Sequence, residues 1–203
     1  MTEQKPSRII VGITGATGTI FGVRVLQMLY GSGIETHLVV SKWAARTLVH
    51  ETPYSLKQVQ SMATHTYAAN DQGAAISSGS FLTLGMVIAP CSMRTLAAIS
   101  LGLGDNLIHR AADVILKERR KLVLVVRESP LNEIHLEHML KLSRMGVVIL
   151  PPMPAFYNQP QSLDDVINHT AMRIIDQFDI HLDVMNRWDG TMLTDSQRRT
   201  IKD

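Results

Sequence analysis

Glycines and hydroxyl residues follow the first buried strand that the sequence predicts. Residues 8–18 read RIIVGITGATG, an apolar run and then a glycine turn, and the apolar-periodic residues beyond it predict a helix. Glycines let the backbone turn tightly and approach a ligand, and a helix start offers unpaired N–H groups and the positive end of a dipole. The combination is typical of a phosphate site. A closely packed βα turn looks similar in any α/β protein, so the motif alone does not name the ligand.

Two serines stand at the ends of other predicted strands. Ser41 follows the second strand, and Ser92 follows the third within PCSMRT, residues 90–95. A dinucleotide site normally carries an acidic residue where Ser41 stands, so the sequence disfavours nicotinamide and favours a mononucleotide or a simple phosphate. Helix capping explains Ser41 equally well, and one serine can do both. Two hydroxyl-rich helix starts beside one crevice predict a single phosphorylated ligand.

Charged residues in the second half of the chain suit anion recognition. Arg110 and Lys117 are seven residues apart on a predicted helix and therefore share a face, although Asp113 offers Arg110 an ordinary surface ion pair. Arg127 and Glu128 end the fourth strand. A cation beside a carboxyl group at that position is well placed for charge recognition together with proton transfer.

Two further residues are interpreted as ligand contacts. Tyr157 lies in a loop stiffened by three prolines, which suits a rigid aromatic platform. Arg173 interrupts the apolar stretch Ala171–Ile175, so we expect it to face the core. An arginine there is costly unless it meets an anion, and a stem that carries its charge out to solvent is the alternative.

Other chemistries have weaker support. Cys91 has no histidine or acidic partner nearby in sequence, so a small buried thiol is favoured over a nucleophile. His135, Glu137 and His138 match no zinc-site spacing, and we predict no metal. The histidines are scattered, and no Ser-His-Asp order is evident.

Short apolar runs alternate with helical patterns, which predicts an α/β fold with a doubly wound parallel sheet. Predicted strands are Arg8–Ile13, Thr36–Val40, Gly85–Ala89, Lys121–Val126 and Val147–Leu150. Predicted helices are Ile20–Tyr30, Lys42–Glu51, Ser92–Leu101, Leu107–Arg120, Asn132–Met145 and one that begins at Ser162. The least regular region is 52–80, in which 74–80 is predicted to be a mobile loop. Ligands of such sheets bind beyond the carboxyl ends of strands, where these candidate residues stand.

Composition limits the function classes. The chain has 203 residues, 45% of them hydrophobic, and a formal net charge of +2. This length predicts one domain, residues 1–203, with a polar tail, 181–203, that is extended or contacts a partner. The small charge argues against nucleic-acid binding, and no apolar run approaches a membrane span. A single cysteine and a polar start without an apolar signal core predict a cytoplasmic protein.

These strand-end segments together resemble the flavin prenyltransferases of the UbiX/Pad type. The resemblance covers residues 8 to 190, with the motifs in the same order as in the family. Within the family, the sequence is most similar to the Pad branch, whose members accompany phenolic-acid decarboxylases. It rests on GITGATG (12–18), SGS (78–80), PCS (90–92), NLIHRAADV (106–114), LKERR (116–120), IHLEHML (134–140) and FY (156–157).

The resemblance implies a Rossmann-like or flavodoxin-like three-layer sandwich that assembles into a homo-dodecamer. The implied reaction joins a dimethylallyl group, from the monophosphate or diphosphate, to N5 and C6 of reduced FMN, without a metal. The product, prenylated FMN, would pass to a UbiD-type decarboxylase. A non-catalytic FMN-binding accessory subunit of a decarboxylase system is the alternative. An FMN-dependent cysteine decarboxylase is disfavoured, because its asparagine-methionine motif and its histidine after strand 1 are not visible.

Site residues are carried over motif by motif. The resemblance implies that FMN is held by Gly15, Ala16, Thr17, Ser41, Ser92, Met93, Arg94, Thr95 and Arg127. It implies that the allylic phosphate is surrounded by Arg110, Lys117, Glu128, Tyr157 and Arg173. The catalytic candidates are Thr17 and Glu51, which would move protons at N5 and C6, and Glu128, which would donate a proton to the leaving phosphate. Trp188 matches a family tryptophan in the tail.

Overall fold

The computed structural model describes residues 7–185, 187, 188 and 190 of the chain. Its centre is a six-stranded sheet in the order β3-β2-β1-β4-β5-β6, and every neighbouring pair is parallel. The strands are β1 (Arg8–Ile13), β2 (Glu35–Val40), β3 (His65–Tyr67), β4 (Gly85–Cys91), β5 (Lys121–Val126) and β6 (Val148–Ile149). Since the order reverses between β1 and β4, the carboxyl ends of these two strands form the topological switch point at which ligands of such sheets bind.

Helices cover both faces of the sheet. They are α1 (Thr19–Leu29), α2 (Lys42–Glu51), α3 (Leu56–Ser61), α4 (Met93–Leu101), α5 (Leu107–Lys117), α6 (Glu133–Arg144) and α7 (Leu163–Asp176), with a 3-10 turn at Ala75–Ser77. Alternate residues of each strand point to opposite faces. Ile9 and Val11 therefore pack with α1, α2, α3 and α7, whereas Ile10 packs with α4, α5 and α6. The predicted three-layer α/β sandwich is confirmed.

Three local predictions differ from the structure. Residues 52–80 contain α3 and β3, which are too short to produce a clear periodic pattern. The predicted helix 107–120 ends at Lys117. The loop 74–80, predicted to be mobile, is instead held in place: Ile76 is buried, Arg110 donates to the Ser77 carbonyl, and Arg120 donates to the Gly79 carbonyl.

A membrane-spanning helix is not found among the described residues, since none of their helices is both long and apolar enough. The tail prediction falls partly outside the described residues, which end at Gly190 and leave out 186 and 189. Trp188 is described, and its ring packs edge-on against Tyr157 at 5.7 Å between centroids.

Candidate functional site

The ends of β1 and β4 are joined by one threonine. The buried Thr14 hydroxyl donates to the Pro90 carbonyl over 2.8 Å and accepts the Ser92 N–H over 2.8 Å. The Ser41 N–H donates to the Ile13 carbonyl over 3.0 Å, which joins the end of β2 to the same place. Three strand ends are therefore set rigidly around one crevice, and the helices that follow begin at its edge.

Two helices begin at this crevice with serine caps. The Ser41 hydroxyl accepts the Ala44 N–H at 3.1 Å at the start of α2, and the Ser92 hydroxyl accepts the Thr95 N–H at 3.3 Å at the start of α4. The capping role predicted for Ser41 is confirmed. Each serine satisfies one N–H of its helix start and leaves others free, so both helices present positive ends to the crevice.

The crevice opens into a cavity of about 700 Å³, within the size range of small-molecule sites. Five predicted FMN contacts line it: Gly15, Ser41, Ser92, Arg94 and Thr95. Its remaining lining residues are Thr14, Lys42, Trp43, Arg46, Ala69, Asn70, Asn106 and His109. The structure thus brings together most of the set that the resemblance implied and adds residues from α2, α5 and the segment after β3.

The chemistry of the lining fits FMN. Lys42, Arg46 and Arg94 supply three cations, and the described residues of the lining include no carboxylate, which suits a phosphate monoester. The Trp43 ring is exposed and has the Arg46 guanidinium over it at 4.9 Å, so an aromatic surface is available to a planar ring system. A Cβ on Gly15 would lie 2.5 Å from the Trp43 ring, so only glycine fits this approach.

The other four predicted FMN contacts, Ala16, Thr17, Met93 and Arg127, are not among the residues that line the cavity. Ala16 donates its N–H to the Thr14 carbonyl at 2.9 Å within the glycine turn. Arg127 donates its backbone N–H to the Cys91 carbonyl at 3.2 Å, which leaves its exposed side chain at the cavity end of β5. Met93 packs partly into the core at the first residue of α4. Their roles toward FMN stay predictions.

Thr17, the last of these four predicted FMN contacts, lies beside Glu51. The Glu51 carboxylate accepts the Gly18 N–H at 2.9 Å, the Thr19 N–H at 3.2 Å and the Thr19 hydroxyl at 3.2 Å, and the nearby Thr17 hydroxyl helps to lower the pKa of Glu51. It thereby caps α1 from a residue at the far end of α2. Burial acts to raise the pKa of Glu51, but these hydrogen bonds outweigh burial and lower it below its ordinary value. Glu51 is therefore an ionised carboxylate at neutral pH, in the state of a proton acceptor.

The residues predicted to surround the allylic phosphate lie on opposite faces of the sheet. Arg110 and Lys117 are on α5, where Arg110 is paired with Asp113 at 2.9 Å and Lys117 with Glu118. The axial rise between them is roughly 10 Å, so Lys117 lies toward the amino ends of the strands. Glu128, exposed after β5, accepts the Ser129 N–H at 3.0 Å.

Tyr157 and Arg173 form the second part of this set, next to α7. The Tyr157 hydroxyl is 3.0 Å from His169 Nε2, and His169 lies one helical turn before Arg173. The prediction that Arg173 faces the core is wrong: its neighbours on both sides are buried, but half of its side chain is exposed, and it pairs with Asp176 at 2.9 Å. The helical period places it on the outer face of α7.

Cys91, His135 and His138 have structural surroundings. Cys91 is fully buried in the core, and burial raises the pKa of its thiol. His135 is bound to the N-cap of α6, whereas His138 Nδ1 lies 2.8 Å from the Ser100 hydroxyl. A buried thiol is a poor nucleophile, and the two histidines have separate structural partners.

The sequence reasoning missed several lining residues for identifiable reasons. Ala69 and Asn70 follow β3, and a three-residue strand left no signal. Asn106 caps α5 through the His109 N–H at 3.1 Å, a helix-start signal that the sequence carries. Lys42, Trp43 and Arg46 lie in the first turns of α2, and the helix that Ser41 begins would have indicated them.

Comparisons with known proteins agree with this geometry. The flavoprotein family model matches residues 1–175. The flavin prenyltransferase LpdB of Lactiplantibacillus plantarum is 58% identical over 184 residues, which are 90% of this chain and 98% of that protein.

Two solved structures are also similar. One is AnUbiX (PadA1) in complex with FMN and dimethylallyl pyrophosphate, with a TM-score of 0.91, 49% identity, and coverage of 93% of this chain and 100% of that one. The other is a dodecameric FMN-dependent UbiX-like decarboxylase of Escherichia coli O157:H7, with a TM-score of 0.88, 55% identity, and coverage of 90% and 100%. The resemblance found in the sequence is confirmed. The chain belongs to the flavoprotein family, and within it to the UbiX-like flavin prenyltransferases.

Proposed function

We propose that this protein joins a dimethylallyl group, from dimethylallyl monophosphate or diphosphate, to N5 and C6 of reduced FMN. The observation that carries the proposal is the cavity at the switch point, where two capped helix starts and three cations face one crevice. Such a site binds a flavin mononucleotide through its phosphate. A relative that is 58% identical and named a flavin prenyltransferase supports the transferase reaction.

The residues in and around the cavity would bind and orient FMN. Gly15, Ser41, Ser92, Arg94 and Thr95 would hold FMN, with Ala16, Thr17, Met93 and Arg127 completing its surroundings. Bound FMN supplies a nucleophilic ring edge to the allyl group. A rigid site that orients both reactants supplies much of the rate enhancement, because it replaces an encounter in solution.

Thr17 and Glu51 would handle protons. Forming a bond at C6 requires that ring position to lose its proton, and an ionised carboxylate bonded to a hydroxyl can accept it. Glu51 is held in that state by hydrogen bonds from α1. Glu128, exposed at the end of β5, would protonate the departing phosphate.

We infer that more than one subunit completes the phosphate site. Arg110 and Lys117 lie on the α5 face, and Tyr157 and Arg173 lie next to α7 on the other face, so one chain does not surround a phosphate with all four. The Asn158 amide beside Tyr157 is buried without a hydrogen-bond partner among the described residues, which leaves capacity for a polar partner. A similar protein that is a dodecamer supports a homo-dodecamer here.

The remaining expectations also stay proposals. We infer one flavoprotein domain, 1–203, whose tail, 181–203, is extended or contacts a partner. We also infer that the product passes to a UbiD-type decarboxylase. A single cysteine, unable to form an intrachain disulfide, supports a cytoplasmic location.

The deciding experiment measures the molecular mass of the flavin after the reaction. The protein is incubated anaerobically with reduced FMN and either dimethylallyl monophosphate or diphosphate, and the flavin is then analysed by mass spectrometry. We expect the mass to rise by one dimethylallyl group. An unchanged flavin mass with both donors would show instead a non-catalytic FMN-binding accessory subunit.

Arg173→Ala tests the phosphate assignment. Asp176 keeps its partner Arg187 at 2.8 Å in this variant, so the fold should persist. We expect prenyl transfer to fall at least tenfold while FMN stays bound. Arg144→Ala, at an exposed cation in the last turn of α6, is the matched control and should behave like the wild type. Loss of FMN binding with transfer per bound flavin unchanged would contradict the assignment.

A further inference from the structure

Glu35, His37 and His65 form a compact group at the amino ends of β2 and β3. Glu35 and His37 are two residues apart on β2 and so share a face, and His37 is paired in register with His65 of β3. The FMN cavity lies at the carboxyl ends of the strands. The group, here called the strand-edge triad, is therefore at the opposite end of the sheet from the proposed reaction.

The two imidazoles of the triad point at one carboxylate oxygen. Glu35 Oε1 is 3.1 Å from His37 Nε2 and 3.0 Å from His65 Nε2, and the three ligand atoms lie within 4.8 Å of one another. The two rings are stacked, with centroids 4.8 Å apart. Two nitrogens and one carboxylate oxygen that converge in this way form a set that zinc and similar ions bind.

Outer hydrogen bonds hold two of the three ligands in position. The Tyr67 hydroxyl is 2.9 Å from His37 Nδ1, and Arg8 Nε donates to Glu35 Oε2 over 2.8 Å. Metal-binding histidines typically use their second nitrogen in such a contact, which sets the ring orientation. Arg8 occupies one carboxylate oxygen and leaves the other, Oε1, to the two histidines.

The rearrangement that metal binding requires falls mainly on His65. With metal–ligand bonds of about 2.1 Å, tetrahedral ligands lie roughly 3.4 Å apart. The observed oxygen–nitrogen distances of 3.0 and 3.1 Å need to widen by a few tenths of an ångström, and the two histidine nitrogens, within 4.8 Å of each other, need to approach by up to about 1.4 Å. His65, with half of its side chain exposed, has room for this shift and leaves one side of the group open to solvent.

We propose that Glu35, His37 and His65 bind a divalent transition-metal ion of the zinc type, with three protein ligands and a solvent molecule in the fourth position. The ion would link β3, an edge strand of three residues, to β2. Its role is structural and separate from flavin chemistry.

The test uses the full, untagged chain freed of metals with a chelator. Co²⁺ is titrated in while visible absorption is recorded, and Zn²⁺ is then added as a competitor. We expect one Co²⁺ per chain, a spectrum typical of four-coordinate cobalt, and its loss when Zn²⁺ displaces it. Zn²⁺ should also raise the Tm, because a ligand that binds the native state stabilises it.

His65→Gln is the decisive variant and His50→Gln its control. His50 is exposed on α2 and lies outside the strand-edge triad. His65→Gln should weaken Co²⁺ binding at least tenfold and abolish the Tm shift, whereas His50→Gln should bind like the wild type. Prenyl transfer should be unchanged in His65→Gln, so this test is independent of the flavin reaction. The proposal is overturned by no cobalt binding to the wild type or by equal binding to His65→Gln.

Discussion

Replacing Glu51 by glutamine separates its two roles, as a cap of α1 and as a proton acceptor. The carboxylate accepts N–H groups from Gly18 and Thr19, at 2.9 and 3.2 Å, and the Thr19 hydroxyl at 3.2 Å. Glutamine preserves the shape and one acceptor oxygen. It removes the negative charge at a helix start and the ability to take a proton.

The structural loss is moderate. A charge near a helix N-terminus contributes about 0.3–1 kcal/mol, and a hydrogen bond to a charged group contributes about 1.5–3 kcal/mol, part of which an amide oxygen retains. We expect Glu51→Gln to lower the free energy of unfolding by about 1–2 kcal/mol. For a chain of 203 residues this is a fall in Tm of roughly 2–8 °C.

The chemical loss is far larger. Removing a general base costs about 10²–10⁴-fold in rate. The assays are thermal unfolding, FMN affinity, and single-turnover transfer followed by flavin mass. Glu133→Gln removes a carboxylate from the first turn of α6 and is the matched control for the helix-charge effect. It should lose a few tenths of a kcal/mol and no transfer rate.

Two outcomes would refute the reasoning. A transfer rate in Glu51→Gln within a few-fold of wild type would show that Glu51 is a structural cap alone. A fall in rate that is fully matched by lost FMN binding would assign Glu51 to positioning the glycine turn.

Two further predictions concern stability. In Gly22→Ala the new Cβ would lie 2.3 Å from the Ala89 carbonyl oxygen. Overpacking costs about 3 kcal/mol and exceeds the gain in helix propensity of about 1 kcal/mol, so urea unfolding should show a free energy of unfolding lower by about 2 kcal/mol. The control is Gly104→Ala, whose Cβ meets nothing within 4 Å and whose stability should be unchanged. Equal stability of the two variants would contradict this packing argument. The hydrogen bond from Arg187 lowers the pKa of Asp176 from 3.8 to about 2, so this carboxylate stabilises the fold above pH 4 and the contribution is lost as the pH falls toward 2. Asp176→Asn should therefore be less stable than wild type at pH 7 by roughly 2 kcal/mol, and the gap should close by about pH 2; a gap that does not depend on pH would contradict the assignment.

Much of the cavity was predictable because its residues are local in sequence. Gly15, Ser41 and Ser92 each stand directly after a buried strand, and parallel strands place their carboxyl ends at one edge of the sheet. Asn70 was missed because β3 has three residues, too few for a periodic signal.

The orientation of Arg173 shows where local pattern is insufficient. Apolar residues on both sides suggested a core position, but a helix turns 100° per residue, and neighbours in sequence point in different directions. The structure places Arg173 outside, against Asp176.

The sequence by itself determined the parallel sheet, the helix starts after β1, β2 and β4, and an anion site at their ends, since these follow from periodicity and capping. Tertiary structure alone decided the contacts between distant residues. It placed Glu51 on the start of α1, 33 residues away, and His65 beside Glu35. It also separated Arg110 from Tyr157, because α5 and α7 cover opposite faces of the sheet. Such contacts depend on how the chain crosses the sheet, and no local pattern encodes that.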